Sequence, residues 1–98
     1  MKITKDFGAE MIFTACPVLQ THELGIEMLS KRGVINLFGG LPKSSPAISL
    51  LSNHIHYKEA YITGSHGSTP KQHRQALEWI EEKRVDITNL ITHHFSLN

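Results

Sequence analysis

The sequence predicts an α/β protein with a short parallel sheet, because short apolar segments alternate along it with amphipathic ones. We expect strands near residues 10–16, 34–38 and 59–64 and helices near 19–32 and 70–84. The first apolar segment, residues 11–16, shows little two-residue alternation, which is typical of a parallel strand buried on both faces. Three strands joined by right-handed crossovers should therefore lie side by side, flanked by helices.

The first helix is predicted from apolar spacing. Leu19, Ile26 and Leu29 fall near one helical face, with His22 among them as a partly buried packing residue. Gly33 is predicted to end the helix in the left-handed conformation. Lys31 and Arg32 would then lie near the helix end, where positive charge is favoured by the dipole.

The segment from residue 41 to 58 is the least regular, and its prolines, Pro42 and Pro46, predict a loop. Residues 47–50 are predicted to form a short edge strand and 51–56 a turn of helix. The last helix has the strongest local signal: Thr69 as N-cap, Pro70 at the first helical position and Gln72 to complete a capping box. We expect this helix to end near Arg84, and residues 87–95 to be extended.

Composition excludes several classes of function. The chain has 98 residues, ten basic and nine acidic side chains and a formal charge of +1, which is too little to predict binding to nucleic acid or to an anionic membrane. The single cysteine, Cys16, cannot form an internal disulfide, and the amino terminus has no apolar signal core. We therefore expect a soluble, cytoplasmic protein.

A family resemblance is carried by the strand ends. The stretch from Gly33 to Pro42, His56-Tyr57-Lys58-Glu59, Thr63-Gly64-Ser65 and the helix after Thr69 together resemble zinc-dependent medium-chain alcohol and polyol dehydrogenases, in particular the sorbitol and threonine dehydrogenase branch. Phe7-Gly8-Ala9-Glu10 resembles the end of the helix before the fourth strand of that family's nucleotide domain. The order and spacing of the motifs, from about residue 5 to residue 98, make the resemblance specific.

The resemblance implies a three-layer partial Rossmann fold, in which the strands correspond to strands 4, 5 and 6 of the 3-2-1-4-5-6 order. Residues 1–86 would be the carboxyl-terminal half of a dinucleotide-binding domain, and 87–98 an extended tail that returns to a catalytic domain. NAD or NADP would lie across the strand ends. By position, the resemblance implies that the nicotinamide side is lined by Phe38, Gly39, Gly40, Gly64 and Ser65 and the cleft by Ala15 and Cys16. Glycine suits such loops because a missing Cβ lets a flat ring approach the backbone.

Other parts of the family's machinery are absent from this sequence. No G-x-G-x-x-G turn occurs in the sequence. The acidic residue that follows this turn in the family and would bind the adenosine ribose is also missing. The catalytic zinc of the family needs ligands from an amino-terminal domain, and its structural zinc needs closely spaced cysteines. The family's activity is therefore not carried over to this polypeptide, and zinc is expected in full-length relatives only.

Histidine and cysteine also admit metal and nucleophile hypotheses. His54-x-His56 and His93-His94 have spacings that a metal could use, but no third ligand is evident, which favours surface histidines. His66 is placed beside the cofactor cleft by the resemblance, and a catalytic proton role for it is the less favoured alternative. Cys16 has no sequence-adjacent histidine to activate it, so a buried small apolar role is favoured.

Two functions of different class remain open. The first is the cofactor-binding portion of an alcohol or polyol dehydrogenase, inactive as an isolated chain. Its partner would be the missing amino-terminal catalytic half. The second is a non-catalytic dimerisation or interaction module, because half a Rossmann sheet leaves strand edges with unpaired backbone groups. Either function leads us to expect a homo-oligomer formed through sheet edges.

Overall fold

The computed structural model describes residues 5–97 and confirms the predicted α/β fold with a short parallel sheet. The three strands are hydrogen-bonded in the order β1-β2-β3, and both pairings are parallel. The elements are β1 (Ala9–Phe13), α1 (Leu19–Glu27), β2 (Leu29–Leu37), α2 (Ser52–Lys58), β3 (Tyr61–Gly64) and α3 (Pro70–Glu81), with a 3-10 turn at Thr88–Leu90.

Two compact units make up the chain. The first ends at His66 and contains the sheet with α1 and α2; the second begins at Gly67 and contains α3 and the 3-10 turn. The first unit is built on the middle strand, since β2 pairs with both other strands and also contacts both helices. The candidate site lies entirely in this unit.

The core of the first unit lies between the sheet and its two helices. Its fully buried apolar side chains are Ile26 of α1 and Leu29 and Ile35 of β2. Half-buried apolar residues complete this cluster: Ile12, Leu37, Ile48, Ile55 and Ala60. Ile35 and Leu37 are two residues apart, so they share one face of β2, while Asn36 between them belongs to the other face. The apolar face therefore fixes the register that brings the three strand ends together.

His22 is a packing residue, as predicted, and is only 4% exposed. It lies four residues before Ile26 on α1, so the two side chains occupy the same helical face. Its buried Nε2 has no hydrogen-bond partner in the part of the chain that the structure describes. A buried polar atom without a partner costs about 1 to 3 kcal/mol, so His22 is retained in the core at some expense in stability.

The predicted end of the first helix was wrong. Helix α1 ends at Glu27, and residues 29–33, expected to be helical or helix-terminating, belong to β2. Gly33 is buried in this strand without a left-handed backbone; a Cβ there would lie 3.0 Å from the carbonyl oxygen of Ala9. Close approach between neighbouring strands, not chain reversal, explains this glycine. Lys31 and Arg32 are exposed residues of the strand, four and five positions beyond the last residue of α1.

An irregular pairing in β2 accommodates this early start. Ala9 pairs with Leu29 but Met11 pairs with Val34, so a two-residue step in β1 lies opposite a five-residue step in β2. Arg32, inside the longer step, has a φ of +60°. Such a bulge bends the strand locally and restores the register on either side of it. The pairing is regular from Met11 onward, toward the candidate site.

The segment between β2 and α2 contains no strand, so the predicted edge strand at residues 47–50 was wrong. Ser49 is instead held by a side chain: its backbone N–H donates to Glu23 Oε1 of α1 at 2.6 Å. The predicted helical turn at residues 51–56 is confirmed as α2, which starts one residue later and extends to Lys58. Glu59 follows with a φ of +50° and ends the helix.

Lys58 closes the carboxyl end of α1. Its ammonium group donates to the carbonyl oxygens of Glu27 at 2.9 Å and Leu29 at 2.6 Å. A cation is favoured there by the helix dipole, and the carbonyls at the end of a helix have no partner within the helix. Lys58 thus joins α2 to the start of the middle strand.

We expect Lys58→Met to lower the free energy of unfolding by about 1 to 2 kcal/mol, since the side-chain length is kept while both charged hydrogen bonds are lost. Urea unfolding followed by far-ultraviolet circular dichroism measures this. Lys43→Met, a change of the same kind in the exposed loop, is the matched control and should have little effect. Equal losses from the two variants would contradict the role given to Lys58.

In the second unit, the predicted capping box of α3 is confirmed. The backbone N–H of Gln72 donates to Thr69 Oγ1 at 3.3 Å, and the backbone N–H of Thr69 donates to Gln72 Oε1 at 2.7 Å. The helix ends at Glu81 instead of near Arg84, whose guanidinium lies over the Trp79 ring at 5.4 Å from its centroid. The capping box uses amide groups at the start of α3 that would otherwise be free.

The segment predicted to be extended begins with the 3-10 turn at Thr88–Leu90. The backbone N–H of Thr88 donates to Asp86 Oδ1 at 2.9 Å and, together with the Thr88 side chain, lowers the pKa of the Asp86 carboxyl. Among residues 5–97, no helix is long and apolar enough to cross a membrane.

Candidate functional site

The candidate site is the edge of the sheet at which all three parallel strands end. Residues 14–17 follow β1, residues 38–40 follow β2, and Ser65 and His66 follow β3. Because neighbouring strands run in the same direction, these three loops emerge at one edge, the usual ligand side of an open α/β sheet. The predicted site residues Ala15, Cys16, Phe38, Gly39, Gly40 and Ser65 lie in these loops, and Gly64 is the last residue of β3.

The first two loops are tied together by backbone hydrogen bonds. The N–H of Gly39 donates to the carbonyl of Thr14 at 2.6 Å, and the N–H of Thr14 donates to the carbonyl of Asn36 at 3.1 Å. Thr14 is 1% exposed and its hydroxyl also donates to the Asn36 carbonyl, at 3.4 Å. The structure therefore brings Cys16 and Gly39 together.

Gly39 is a glycine for a structural reason. A Cβ at this position would lie 2.9 Å from the backbone nitrogen of Cys16 and 3.0 Å from its carbonyl carbon and oxygen. No rearrangement of a side chain relieves such contacts, because every atom involved belongs to the backbone. The close packing of the first two loops therefore requires glycine here, whether or not a ligand is bound.

Gly40 and Gly64 differ from Gly39 because open space surrounds them. No heavy atom lies within 4 Å of a Cβ placed on Gly40, and at Gly64 the nearest is the Leu37 carbonyl oxygen at 3.9 Å. Packing explains neither glycine. Both leave backbone uncovered at the edge where the three strands end, so a flat ligand could approach it closely.

The end of β2 and the third loop are joined by a side-chain pair, of which the sequence analysis selected only Ser65. The hydroxyl of Ser65 donates to Asn36 Oδ1 at 3.0 Å, and the Ser65 backbone N–H donates to the Leu37 carbonyl at 3.5 Å. Asn36 is half-buried and central in the sheet, since it pairs with Phe13 on one side and Thr63 on the other. A polar residue within the apolar run of residues 34–38 was the one available signal.

Cys16 is half-buried and makes a polar contact. Its thiol donates to Thr21 Oγ1 at 3.2 Å, which links the first loop to α1. The prediction that Cys16 is a buried, purely apolar residue was therefore wrong, because its thiol forms a hydrogen bond. No histidine contacts this thiol in the described residues, so no activating base is evident.

Two further site residues, Ala15 and Phe38, are exposed, and Phe38 keeps 63% of its surface accessible. The backbone N–H of Phe38 donates to the Asn36 carbonyl at 3.0 Å, so the chain turns immediately after β2. Phe38 thus offers an exposed aromatic ring two residues before the uncovered Gly40.

The described residues do not fit a zinc site. Between residues 5 and 97, no group of three or more His, Cys, Asp and Glu side chains could hold a metal ion. His54 and His56 lie on α2 two residues apart, a spacing that directs side chains to different sides of a helix.

Cavities elsewhere in the first unit have other linings. One of about 200 Å³ lies between α1 and the segment before α2, and its lining includes Glu23, Glu27, Ser49 and His54. Another, of about 400 Å³, lies where the chain passes from α1 into β2, with Phe7, Leu24 and Lys58 in its wall. Neither is lined by a residue of the three loops.

Comparison with known proteins supports the resemblance. No family model matches the chain. Sorbitol dehydrogenase from Halalkalibacterium halodurans is 26% identical over 97 residues, which cover 99% of this chain and 28% of that protein. A zinc-binding dehydrogenase from Sinorhizobium meliloti 1021 bound to NADP aligns with a TM-score of 0.78 and 20% identity, over 88% of this chain and 25% of that one. D-arabinose dehydrogenase from Sulfolobus solfataricus aligns with a TM-score of 0.69 and 20% identity, over 83% and 24%.

These similarities confirm the predicted relationship and fold: the chain matches one segment of a medium-chain alcohol or polyol dehydrogenase. It spans about a quarter of the length of the relatives that it matches. The three-stranded parallel sheet with its helices is the α/β arrangement of these Rossmann-like dehydrogenase structures.

Proposed function

We propose that this chain binds the nicotinamide end of NAD or NADP, as the carboxyl-terminal half of the nucleotide-binding domain of an alcohol or polyol dehydrogenase. The observation that carries the proposal is the uncovered backbone at Gly40 and Gly64, at the edge where the three parallel strands end. The similarity to a sorbitol dehydrogenase over 97 residues supports it independently.

The proposed roles of the residues follow from their surroundings. Gly40 and Gly64 let the nicotinamide ring approach the backbone, while Phe38 offers an apolar surface beside it. Gly39 and Cys16 hold the second loop against the first, and Ala15 lines the cleft. The bound cofactor supplies hydride transfer, and this chain's residues bind and orient its ring.

Affinity should be low when this chain is alone. The glycine-rich turn that would hold the pyrophosphate is not in the sequence, and α3 satisfies its own amino-terminal amides through its capping box. Most of the binding energy for a dinucleotide would then come from residues outside this segment. For the same reason we propose that the isolated chain does not oxidise alcohols or polyols with either cofactor.

Titration of the ¹⁵N-labelled chain with NADPH, followed by two-dimensional NMR, tests the proposal. We expect progressive shifts in the backbone amides of Gly40, Gly64 and Ser65, with a dissociation constant in the millimolar range, about −4 kcal/mol. AMP, which lacks the nicotinamide, is the control and should leave these three amides in place. Shifts confined to other residues, or equal shifts with AMP, would refute the proposed site.

A second candidate function is assembly, and the sheet edges favour it. Within the described sheet, β1 and β3 each pair on one side only, and Met11, Phe13 and Tyr61 are each at least 60% exposed. Such edges pair readily with another copy. We propose a homo-oligomer formed through a strand edge, or an amino-terminal catalytic half that covers it. Sedimentation at micromolar concentration distinguishes a dimer from a monomer, and a monodisperse monomer would exclude the homo-oligomer.

We propose the cytoplasm as the site of action. The free thiol of Cys16 is compatible with that reducing compartment.

A further inference from the structure

One face of the three-stranded sheet packs on the core, and its other face is open. Side chains alternate between the two faces along each strand, and Ile35 of the middle strand points into the core. The residues on either side of Ile35 therefore belong to the other face, together with their partners on β1 and β3. Two rows of paired residues cross this face, which we call the open face: Met11, Val34 and Tyr61 in one row, and Phe13, Asn36 and Thr63 in the next.

The open face exposes three large side chains. Met11, Phe13 and Tyr61 keep 65%, 60% and 62% of their surfaces accessible in the part of the chain that the structure describes. Single exposed apolar residues are common on protein surfaces and need no explanation. These three instead share two adjacent rows of one sheet, and a grouped apolar patch marks an interaction site.

The shape of the open face suits a copy of itself. Bulky side chains stand on the two outer strands, whereas the middle strand carries the shorter Val34 and Asn36, both half-buried. The open face is therefore a shallow trough with raised sides. A two-fold rotation can place the Phe13 or Tyr61 ring of one copy over Val34 of the other, and self-complementary contacts of this kind are usual in homodimers.

Charge favours a second copy over a charged partner. The open face contains no Asp, Glu, Lys or Arg, so two copies meet there without repulsion between like charges. Its central polar side chain is already partly satisfied, because Asn36 Oδ1 accepts a hydrogen bond from Ser65 at 3.0 Å. Aromatic residues and methionine without charged neighbours are the composition of an interface core.

The available area is enough for a weak dimer. An aromatic side chain covers about 150 to 250 Å² when it is fully buried, so the three exposed side chains offer roughly 350 Å² per copy. The rest of the open face brings this to about 500 Å² per copy, or about 1,000 Å² for the pair. That is the lower limit for a specific interface, which corresponds to a dimer of micromolar and not nanomolar stability.

We infer that two copies of this chain associate through the open face. The dimer is a stack of two sheets, with α1 and α2 of each copy on the outer sides. This contact differs from the strand-edge assembly proposed above, because side chains make it and the backbone groups at the edges of β1 and β3 stay free. It also goes beyond the proposed cofactor site, which it does not use.

Sedimentation equilibrium of the full 98-residue chain tests the inference. We expect a dimer with a dissociation constant on the order of 10 μM. Phe13→Gln combined with Tyr61→Gln should weaken the dimer by about a hundredfold, since truncated aromatic residues at the centre of an interface have the largest effects. Both side chains are exposed in one copy, so the circular dichroism spectrum should be unchanged.

Phe7→Gln combined with Tyr57→Gln is the matched control. These two rings are 79% and 73% exposed and lie outside the open face, so their replacement should leave the dissociation constant unchanged. An edge-paired dimer is held by backbone hydrogen bonds and would survive both pairs of substitutions. Equal dimerisation of the two double variants would therefore overturn the inference, as would a wild-type chain that stays monomeric. A monomeric chain that still binds NADPH would reject this contact and leave the proposed cofactor site intact.

NMR on a mixture of ¹³C-labelled and unlabelled chains decides the question if the double variant does not fold. A filtered experiment detects only contacts between a labelled and an unlabelled copy. We expect contacts from the labelled Val34 methyl groups to aromatic ring protons of the other copy. If the Val34 methyl groups contact aromatic rings of their own chain alone, a second copy does not cover the open face and the inference is wrong.

Discussion

Gly8→Ala is expected to lower the free energy of unfolding by about 3 kcal/mol, the sum of left-handed backbone strain and steric overlap. Gly8 has a φ of +86°, and an added Cβ would lie 2.7 Å from the Met28 carbonyl oxygen and 2.8 Å from the Ser30 nitrogen. Both atoms belong to the backbone where α1 passes into β2. The neighbouring hydrogen bond, from the Ala9 N–H to Met28 at 2.8 Å, leaves little room for adjustment.

Gly67→Ala separates the two causes. Gly67 also has a positive φ, +64°, but no heavy atom lies within 4 Å of its added Cβ, so only the backbone strain applies. We expect a loss of about 1 kcal/mol. Urea unfolding of both variants measures the difference. The slopes of the unfolding free energy against urea concentration should agree, because both variants expose the same surface on unfolding. Similar losses of unfolding free energy from the two substitutions would show that the backbone between α1 and β2 shifts to accommodate the added Cβ.

The sequence predicts well those features that local interactions determine. Thr69 and Gln72 are three residues apart and form the capping box of α3 from their own side chains, so spacing alone identifies the helix start. The parallel sheet is predictable because residues 11–13, 34–37 and 61–63 contain apolar side chains of strand-favouring type. These features do not depend on which distant residues pack against them.

Contacts between distant residues decide the features that were mispredicted. Gly33 was assigned to a helix end because glycine commonly adopts positive φ there, whereas the structure needs it for the close approach of Ala9, 24 positions earlier. Leu29 favours helices, yet it is 1% exposed in β2 because burial in the core outweighs its propensity. Tertiary packing thus moved the end of α1 and the start of β2.

The candidate site shows the same limit. The loops could be located from the strand ends, because parallel strands place their carboxyl ends together. The Asn36–Ser65 hydrogen bond could not, because it joins a residue of β2 to one that lies 29 positions later in the loop after β3. Nor could the sequence distinguish Gly39 from Gly40, since adjacent glycines look alike until their surroundings are known. The structure gives them different surroundings, and the effects of these can be separated by mutation.

Gly39→Ala is expected to lower the free energy of unfolding by about 2 to 3 kcal/mol, because the new Cβ overlaps the Cys16 backbone. Gly40→Ala, one residue later, should change stability by less than about 0.5 kcal/mol, since its Cβ enters open space. The adjacent positions serve as matched controls for each other, and urea unfolding compares them directly. A large loss from Gly40→Ala would mean that its surroundings are more crowded than the structure shows.

Cofactor binding should follow a different pattern. If Gly40 is open so that a nicotinamide ring can approach the backbone, its Cβ will occupy part of the space that the ring needs. We therefore expect Gly40→Ala to weaken binding of NADPH by about tenfold in the NMR titration, while the protein remains folded. Retention of full affinity by this stable variant would show that the uncovered backbone at Gly40 does not receive the ring. Gly64 would then be the remaining glycine at the sheet edge that could do so.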